Sequence, residues 1–184
     1  MPAHILTGNV RWGDMKAAAA AQADQNQNSH ATIFRRAGPG DLGVLKPLYR
    51  STFNDWARSL GRDANYTSYD WLADCVDEGA VWVAKNGEQI LGAITLTPNG
   101  DTWSIDEIAV SPLHQGRGIG SWMLSRATQI APKHGVRRLA LCTAKQRKDL
   151  VGWYGRSGFK IIRDIPASRY CDGQLQVNME KRLT

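Results

Sequence analysis

A glycine-rich segment between a strand-like run and a helix-like run constrains this chain more than any other feature. Residues 115–120 read Gln-Gly-Arg-Gly-Ile-Gly, after the strand-like run 103–110 and before a helix-like run that reaches about Lys133. The first amides of a helix have no intrahelical acceptor and carry partial positive charge. Glycine lets an anion approach them closely. The segment therefore predicts a site for a phosphate-bearing ligand.

The letters exclude two common nucleotide-binding motifs. No Gly-x-x-x-x-Gly-Lys-Ser/Thr string occurs, so the chain has no Walker A loop. The dinucleotide fingerprint needs Gly-x-Gly-x-x-Gly and an acidic residue about 20 residues later. Here the last glycine has the wrong spacing, and no Asp or Glu occurs from residue 108 to 148. What the segment contains is Gln-x-x-Gly-x-Gly.

In its context, this motif resembles that of the GNAT superfamily of acyl-CoA-dependent N-acyltransferases. Residues 107–112 look like the family's fourth strand, residues 153–159 like its aromatic-Tyr-x-x-x-Gly-Phe signature, and residues 177–183 like its last strand. The resemblance covers about residues 32–183. It implies an α/β fold in which helices flank a mixed, mostly antiparallel sheet with a central, splayed pair of parallel strands.

Residue patterns favour the same architecture. Apolar residues recur every three to four positions from 45 to 60, which predicts a helix. Asp41 is a good N-cap for it, and Pro47 is an alternative start. Asn-Gly pairs at 86–87 and 99–100 predict hairpins, so three strands form an antiparallel meander. The strand–helix–strand order from 102 to 142 predicts a parallel pair with a right-handed crossover.

Composition bounds the organisation of the chain. With 184 residues it has room for one domain with a tail. Residues 1–30 are Ala-rich and then polar, which predicts a disordered tail ahead of a GNAT domain at 31–184. Neither a membrane-spanning run nor a signal-peptide pattern occurs, and three widely spaced cysteines favour a reducing, cytoplasmic setting. Cys142 lies in an apolar run and is predicted to be a buried, inert thiol.

The half of the chain with the glycine-rich segment carries the positive charge. Residues 1–100 contain 9 basic and 10 acidic side chains, whereas residues 101–184 contain 14 and 7. This charge suits a polyanion such as coenzyme A. Nucleic acid is disfavoured as a partner, because no basic run is interleaved with aromatic residues.

Acyl transfer to an amine needs a base, because an alkylammonium has a pKa of about 10.4. Asp106 and Glu107 are adjacent on the strand that enters the segment, and alternation would turn only one of them into the cleft. The resemblance assigns the base to Glu107, eight residues before Gln115. A bulge would disturb the facing, so Asp106 stays an alternative. The resemblance also assigns the general acid to Tyr154.

The resemblance implies the cofactor contacts as well. The glycine-rich amides would hold the pyrophosphate, and the strand before them would pair with the pantetheine arm and stabilise the thioester oxygen. The predicted cofactor-binding residues are Ile108, Ala109, Val110, Gln115, Gly116, Arg117, Gly118, Ile119, Gly120, Ser121 and Arg147. Arg147 stands where the family often has Asn. A contact there, for example with a phosphate, competes with a solvated basic turn.

Acceptor recognition in this family lies between the first two helices and between the last two strands, here about residues 53–74 and 165–173. Trp56, Tyr69, Asp70 and Trp71 are the candidates, since aromatic rings and carboxylates suit a cationic amine. Packing of a helix against the sheet is the alternative. The resemblance therefore implies transfer of acetyl from acetyl-CoA to a primary amine of a small molecule, protein or peptide, without a metal.

Two other functions stay open at this point. One is a noncatalytic acyl-CoA-binding or regulatory module on the same fold. The other is acetylation of an amine linked to RNA, as in an aminoacyl-tRNA. No membrane partner is predicted, and a monomer and a homodimer are both compatible with the sequence.

Overall fold

The computed structural model describes residues 31–59, 68–166 and 175–183. In chain order the elements are β1 (Ile33–Arg36), α1 (Leu42–Ser59), α2 (Trp71–Asp77), β2 (Val81–Asn86), β3 (Gln89–Asn99), β4 (Thr102–Val110), α3 (Ile119–Ile130), β5 (Arg138–Ala144), α4 (Lys148–Arg156), β6 (Lys160–Ile165) and β7 (Gln176–Arg182). The tail predicted at 1–30 lies outside the described residues. No helix within the described ranges is long and apolar enough to cross a membrane.

The strands form one sheet of seven in the order β1-β2-β3-β4-β5-β7-β6. The pair β4 and β5 is parallel, and the other neighbours are antiparallel. The predicted mixed α/β fold and its meander are thus confirmed. The hairpin glycines Gly87 and Gly100 have φ of +53° and +59°, which glycine adopts without strain.

Strands β4 and β5 are paired over only part of their length. The parallel ladder runs from Thr102 and Arg138 to Ile105 and Leu141. Both strands continue beyond these residues without pairing with each other. They therefore separate towards their C-terminal ends, as the predicted splay requires.

A β-bulge interrupts β4 where the splay begins. Ile105 lies opposite Leu96 of β3 and Glu107 lies opposite Thr95, so Asp106 has no partner in this ladder. A bulge of this kind shifts the phase of the side chains that follow it.

Core packing shows the shift of phase. The same apolar core contains Trp103 and Ile105 before the bulge and packs against Ile108 and Val110 after it. Because the step from 105 to 108 is three residues rather than two, Asp106 and Glu107 project from the same, opposite face. The prediction that only one of these carboxylates faces the cleft is therefore wrong.

Two apolar cores hold helices on opposite faces of the sheet. Helix α3 buries Met123, Leu124 and Ala127 on one face. Helix α1 buries Leu45 and Tyr49 on the other, where α2 also packs. Helix α1 begins at Leu42, directly after the predicted N-cap Asp41, so the alternative start at Pro47 is wrong. Burial of the neighbouring apolar side chains offsets the one backbone hydrogen bond that a proline inside a helix cannot donate.

We expect Gly92→Ala to lower the free energy of unfolding by about 1–3 kcal/mol, the usual range for overpacking. A Cβ atom on Gly92 would lie 2.8 Å from the carbonyl oxygen of Ala109 and 2.9 Å from Cε of Met123. Gly43→Ala in α1 is the control, because nothing lies within 4 Å of its added Cβ. Urea unfolding measures both variants. A Gly92→Ala protein as stable as the wild type would contradict this close contact.

Candidate active site

A cavity of about 720 Å³ occupies the gap between β4 and β5. Its wall combines the ends of both strands, the glycine-rich turn with the start of α3, one face of α4 and two residues of α1. The predicted site residues that line it are Glu107, Ile108, Val110, Gln115, Gly116, Gly118, Ile119, Gly120, Ser121, Arg147 and Tyr154, together with Asp106. Ala109 and Arg117 are not part of the lining.

The glycine-rich turn leaves the N-terminus of α3 open. Gly116 and Gly118 have φ of +74° and +82°, and nothing lies within 4 Å of a Cβ atom added to either. Gly118 is the N-cap and has no side chain to cap the helix, so the first amides of α3 keep their donors available. This arrangement can hold an anionic ligand such as a pyrophosphate.

Gly120 allows α3 to pack closely against α4. A Cβ atom there would lie 3.2 Å from Cζ2 of Trp153 on α4. The indole Nε1 of Trp153 in turn donates a hydrogen bond of 2.9 Å to Oγ of Ser121. Helices α3 and α4 are thus joined at the rim of the cavity.

The free edge of β4 presents backbone donors to the cavity. The amide of Ser111 donates to the carbonyl of Leu91 on β3 over 2.9 Å. Backbone groups alternate along a strand, so those of Val110 and Ile108 point away from β3 into the gap, and those of Ala109 point towards β3. This explains why Ala109 does not line the cavity.

Two side chains hold the end of this edge. Nε2 of Gln115 donates to the carbonyl of Val110 over 3.1 Å. Oγ1 of Thr52 shares its one proton between this carbonyl, at 3.2 Å, and that of Leu48, at 2.9 Å. Thr52 comes from α1 and did not emerge from the sequence. Its position three residues after the core residue Tyr49 was the available signal, because it places Thr52 on the sheet-facing side of the helix.

The surroundings of Glu107 favour the neutral, protonated form of its carboxyl group. Burial, and next the negative charge of Asp106, raise its pKa from the usual 4.5 to about 7. A carboxyl of this kind exchanges its proton at neutral pH and can act as a general base.

Asp106 has a different environment on the same wall. Its side chain is exposed, and Oδ2 accepts a hydrogen bond from Oγ1 of Thr97 on β3. The two carboxylates therefore share a face of the sheet while one is largely buried and the other is held at the surface.

Tyr154 reaches the cavity from α4. Burial raises its pKa to about 12, so the phenol keeps its proton at neutral pH. Its ring contacts those of Trp153 and Phe159, with centroids 4.7 Å and 5.8 Å away. These contacts hold the ring of Tyr154 in the cavity wall.

Arg147 lines the cavity, and its guanidinium is paired with Asp149. Its Nε and Nη2 donate to the carboxylate of Asp149 over 3.0 Å and 2.7 Å. The guanidinium hydrogen bonds hold the pKa of Asp149 down, at about 2. A guanidinium paired in this way is a weaker phosphate ligand than an unpaired one.

One residue of the cavity wall differs from its sequence-based interpretation, and another did not emerge from the sequence. Cys142 is exposed and lines the cavity, so the prediction of a buried thiol is wrong. On β5, Leu139 and Leu141 face the core and Cys142 alternates to the other face. His114, which no motif marked as functional, is buried in the cavity wall. Its Nδ1 has no hydrogen-bond partner among the described residues, and burial lowers its pKa.

The acceptor candidates do not meet at this cavity. Tyr69 is buried in the core under α1, and Trp71 packs against that core. Asp70 is exposed and pairs with Nζ of Lys46 at 2.8 Å. The side chain of Trp56, like most of the loop after β6, lies outside the described part of the chain.

Sequence comparison identifies a family. The model for the family described as "Acetyltransferase (GNAT) family" matches residues 45–159. An uncharacterized N-acetyltransferase of Methanocaldococcus jannaschii is 24% identical over 135 residues, which make up 69% of this chain. The chain spans 60% of the length of that curated relative.

Solved structures share the fold. Ard1 from Thermoplasma volcanium superimposes with a TM-score of 0.70 at 15% identity, over 84% of this chain and 99% of its own. PaiA N-acetyltransferase from Thermoplasma acidophilum, in complex with coenzyme A, gives 0.65 at 19% identity, over 83% and 99%. N-acetylglutamate synthase from Neisseria gonorrhoeae, complexed with coenzyme A and N-acetyl-glutamate, gives 0.65 at 19% identity, over 85% and 36%.

We expect Gly118→Ala to weaken binding of coenzyme A by about tenfold or more, a loss of about 1.4 kcal/mol. Gly135→Ala is the matched control, since Gly135 has φ of +74°, no atom within 4 Å of an added Cβ, and no place in the cavity wall. Both variants should lose about 1–2 kcal/mol of stability from the left-handed backbone. Calorimetric titration of the folded proteins measures the affinity. Equal affinities would place the anion site elsewhere.

We expect the stability of the wild type to fall as the pH rises from about 5 to 8, relative to that of Glu107→Gln. The pKa of Glu107 is about 7 in the folded protein and 4.5 when unperturbed, so between these values the folded state binds more protons than the unfolded state. Stability therefore decreases with rising pH in this window, by about 2–3 kcal/mol for this group. Denaturant unfolding of both proteins at pH 5 and pH 8 measures the difference. Parallel pH dependences would show that burial does not perturb Glu107.

Proposed function

The chain belongs to the GNAT acetyltransferase family, and we propose that it transfers the acetyl group of acetyl-CoA directly to a primary amine, with Glu107 as general base and Tyr154 as general acid. One observation carries this proposal. A carboxyl with a pKa of about 7 shares a single cavity with the open glycine-rich turn and a protonated tyrosine.

Coenzyme A fits the residues that are present. The cradle at Gly116 and Gly118 has no Cβ atoms, and the first amides of α3 are available to the pyrophosphate. The gap-facing backbone of Ile108 and Val110 would pair with the amides of the pantetheine arm. The coenzyme A in two of the similar structures supports the choice of cosubstrate. Acetyl-CoA supplies a thioester carbonyl that an amine can attack.

The pKa of Glu107 bears on the first step, in which a proton passes from the acceptor ammonium to the carboxylate. An ammonium of pKa about 10.4 would give its proton to a carboxylate of pKa about 4.5 at a cost of about 8 kcal/mol. At a pKa of about 7 the cost falls to about 5 kcal/mol, because each unit is worth about 1.36 kcal/mol. Burial of Glu107 therefore lowers the barrier to forming the free amine.

The later steps use groups on both sides of the gap. As the amine attacks, the thioester oxygen gains negative charge, and an amide of Ile108 or Val110 would donate a hydrogen bond to it. When the carbon–sulfur bond breaks, the hydroxyl of Tyr154 would give its proton to the departing thiolate. The nitrogen would then lose its second proton, which would pass through solvent to the phenolate and leave a neutral amide. The proton on Glu107 would be released to bulk solvent, so that one proton is released overall.

The acceptor is proposed at the level of a primary amine of a small molecule, a protein or a peptide. Similar proteins are named for different acceptors, and one is a spermidine N-acetyltransferase chimera. The acidic pair Asp106 and Glu107 on the cavity wall favours a cationic acceptor. Release of free thiol from acetyl-CoA across a panel of amines, peptides and aminoglycosides is the experiment that identifies it.

With a working acceptor, we expect Glu107→Gln to lower kcat/KM at pH 7.5 by roughly 10²–10⁴-fold, the usual value of a general base. Affinity for acetyl-CoA should persist, and the loss should shrink at high pH, where more free amine exists. Glu88→Gln is the control, since it removes an exposed carboxylate from the β2–β3 hairpin. Steady-state kinetics from pH 6 to 10 measure the effect.

Two outcomes would contradict this assignment. A Glu107→Gln enzyme with wild-type activity at every pH would show that another group or water receives the proton. A wild-type protein that binds acetyl-CoA but releases no thiol with any amine would favour a noncatalytic acyl-CoA-binding module on the same fold.

A further inference from the structure

The bulge in β4 places two carboxylates on one wall of the cavity, and only one of them has a role in the proposed reaction. Asp106 has no partner in the ladder with β3, whereas Glu107 lies opposite Thr95. Both line the cavity. A regular strand would have turned one of the two to the other face of the sheet.

Asp106 is held in a defined position at the surface. Oγ1 of Thr97 donates a hydrogen bond to its Oδ2 across the two strands. Thr97 lies two residues after Thr95 on β3, so it projects from the same face as the acidic pair. The hydrogen bond fixes the exposed carboxylate of Asp106 against β3, on the face of the sheet that it shares with Glu107.

The other groups around Glu107 cannot replace this negative charge. Tyr49 of α1 and Cys75 of α2 face it from the helical layer, and burial raises the pKa of both, so they are neutral near pH 7. Cys142, His114 and Tyr154 share the cavity, and burial lowers the pKa of His114 and raises that of Tyr154. Arg147 is the only lysine or arginine among the described residues that line the cavity, and Asp149 pairs with its positive charge.

We propose that Asp106, held by Thr97, is a positioning residue that acts through Glu107, because its fixed negative charge makes Glu107 a stronger base for the ammonium proton. The inference rests on the proposed role of Glu107 as the base. A neighbouring negative charge stabilises the protonated form of a carboxyl, which agrees with the contribution of Asp106 to the raised pKa of Glu107.

Asp106→Asn tests this directly, because it keeps the size of the side chain and the hydrogen bond to Thr97 while removing the charge. The ¹³C resonance of the Glu107 carboxyl, followed by NMR in the protein without acetyl-CoA, should titrate about half to one pH unit lower. The acid limb of the kcat/KM profile should move down by the same amount. Above this limb and below the pKa of the ammonium, kcat/KM should fall severalfold, because a weaker base takes the proton less readily. The loss should shrink at high pH, where more free amine exists.

Two variants accompany it. Thr97→Val keeps the charge of Asp106 but removes the hydrogen bond, so it should move the Glu107 titration in the same direction by a smaller amount. Glu88→Gln removes one exposed negative charge from a residue that does not line the cavity, and it should leave both titrations unchanged. This control separates a local effect from a change of net charge.

The two readouts separate the failure of this inference from the failure of the proposed function. An unchanged Glu107 titration in Asp106→Asn would overturn the inference. If, in addition, the Asp106→Asn enzyme were inactive at every pH, Asp106 itself would be the base. A shifted NMR titration with an unshifted kinetic profile would uphold the coupling and reject Glu107 as the base.

Discussion

The parallel pairing of β4 with β5 is the contact on which the rest of the site depends. Strand β4 pairs with β5 at its start and then diverges from it, which opens the gap between them. The ladder ends at Ile105 and Leu141, and the bulge at Asp106 follows at once. Beyond that point β4 has backbone donors and acceptors on one side without a neighbouring strand. Backbone polar groups seek partners, so the open edge suits an extended ligand with amides, as the pantetheine arm is under the proposed function.

The packing of helices on both faces of the sheet sets the width of the gap between β4 and β5. One core holds α3 and α4 on one face, and the other holds α1 and α2 on the opposite face. Hydrogen bonds at the rim connect these layers to the site, from Thr52 to the end of β4 and from Trp153 to the start of α3. The relative positions of Glu107, Tyr154 and the glycine-rich turn therefore depend on how the two helical layers pack on the sheet.

The charges divide the cavity into two ends. Under the proposed function, backbone amides rather than free side-chain cations would form the anion-binding end, because Asp149 already pairs with Arg147. The other end carries Asp106 and Glu107, and burial of Glu107 costs the folded protein stability at neutral and higher pH. Natural proteins commonly accept such a local cost at a functional site.

Local chemistry determined much of this protein in advance. The Asn-Gly pairs predicted both hairpins because their turns need positive φ, and the glycine-rich segment predicted an open helix N-terminus for the same reason. The resemblance carried by these motifs predicted the fold and the splay. Only the tertiary structure decided which face of the sheet each side chain projects from. The bulge that unites Asp106 with Glu107 exists only through pairing with β3. The exposure of Cys142, the turning away of Ala109 and the ion pair of Arg147 likewise depend on which strands and helices lie alongside, and a linear pattern of period two does not contain that information.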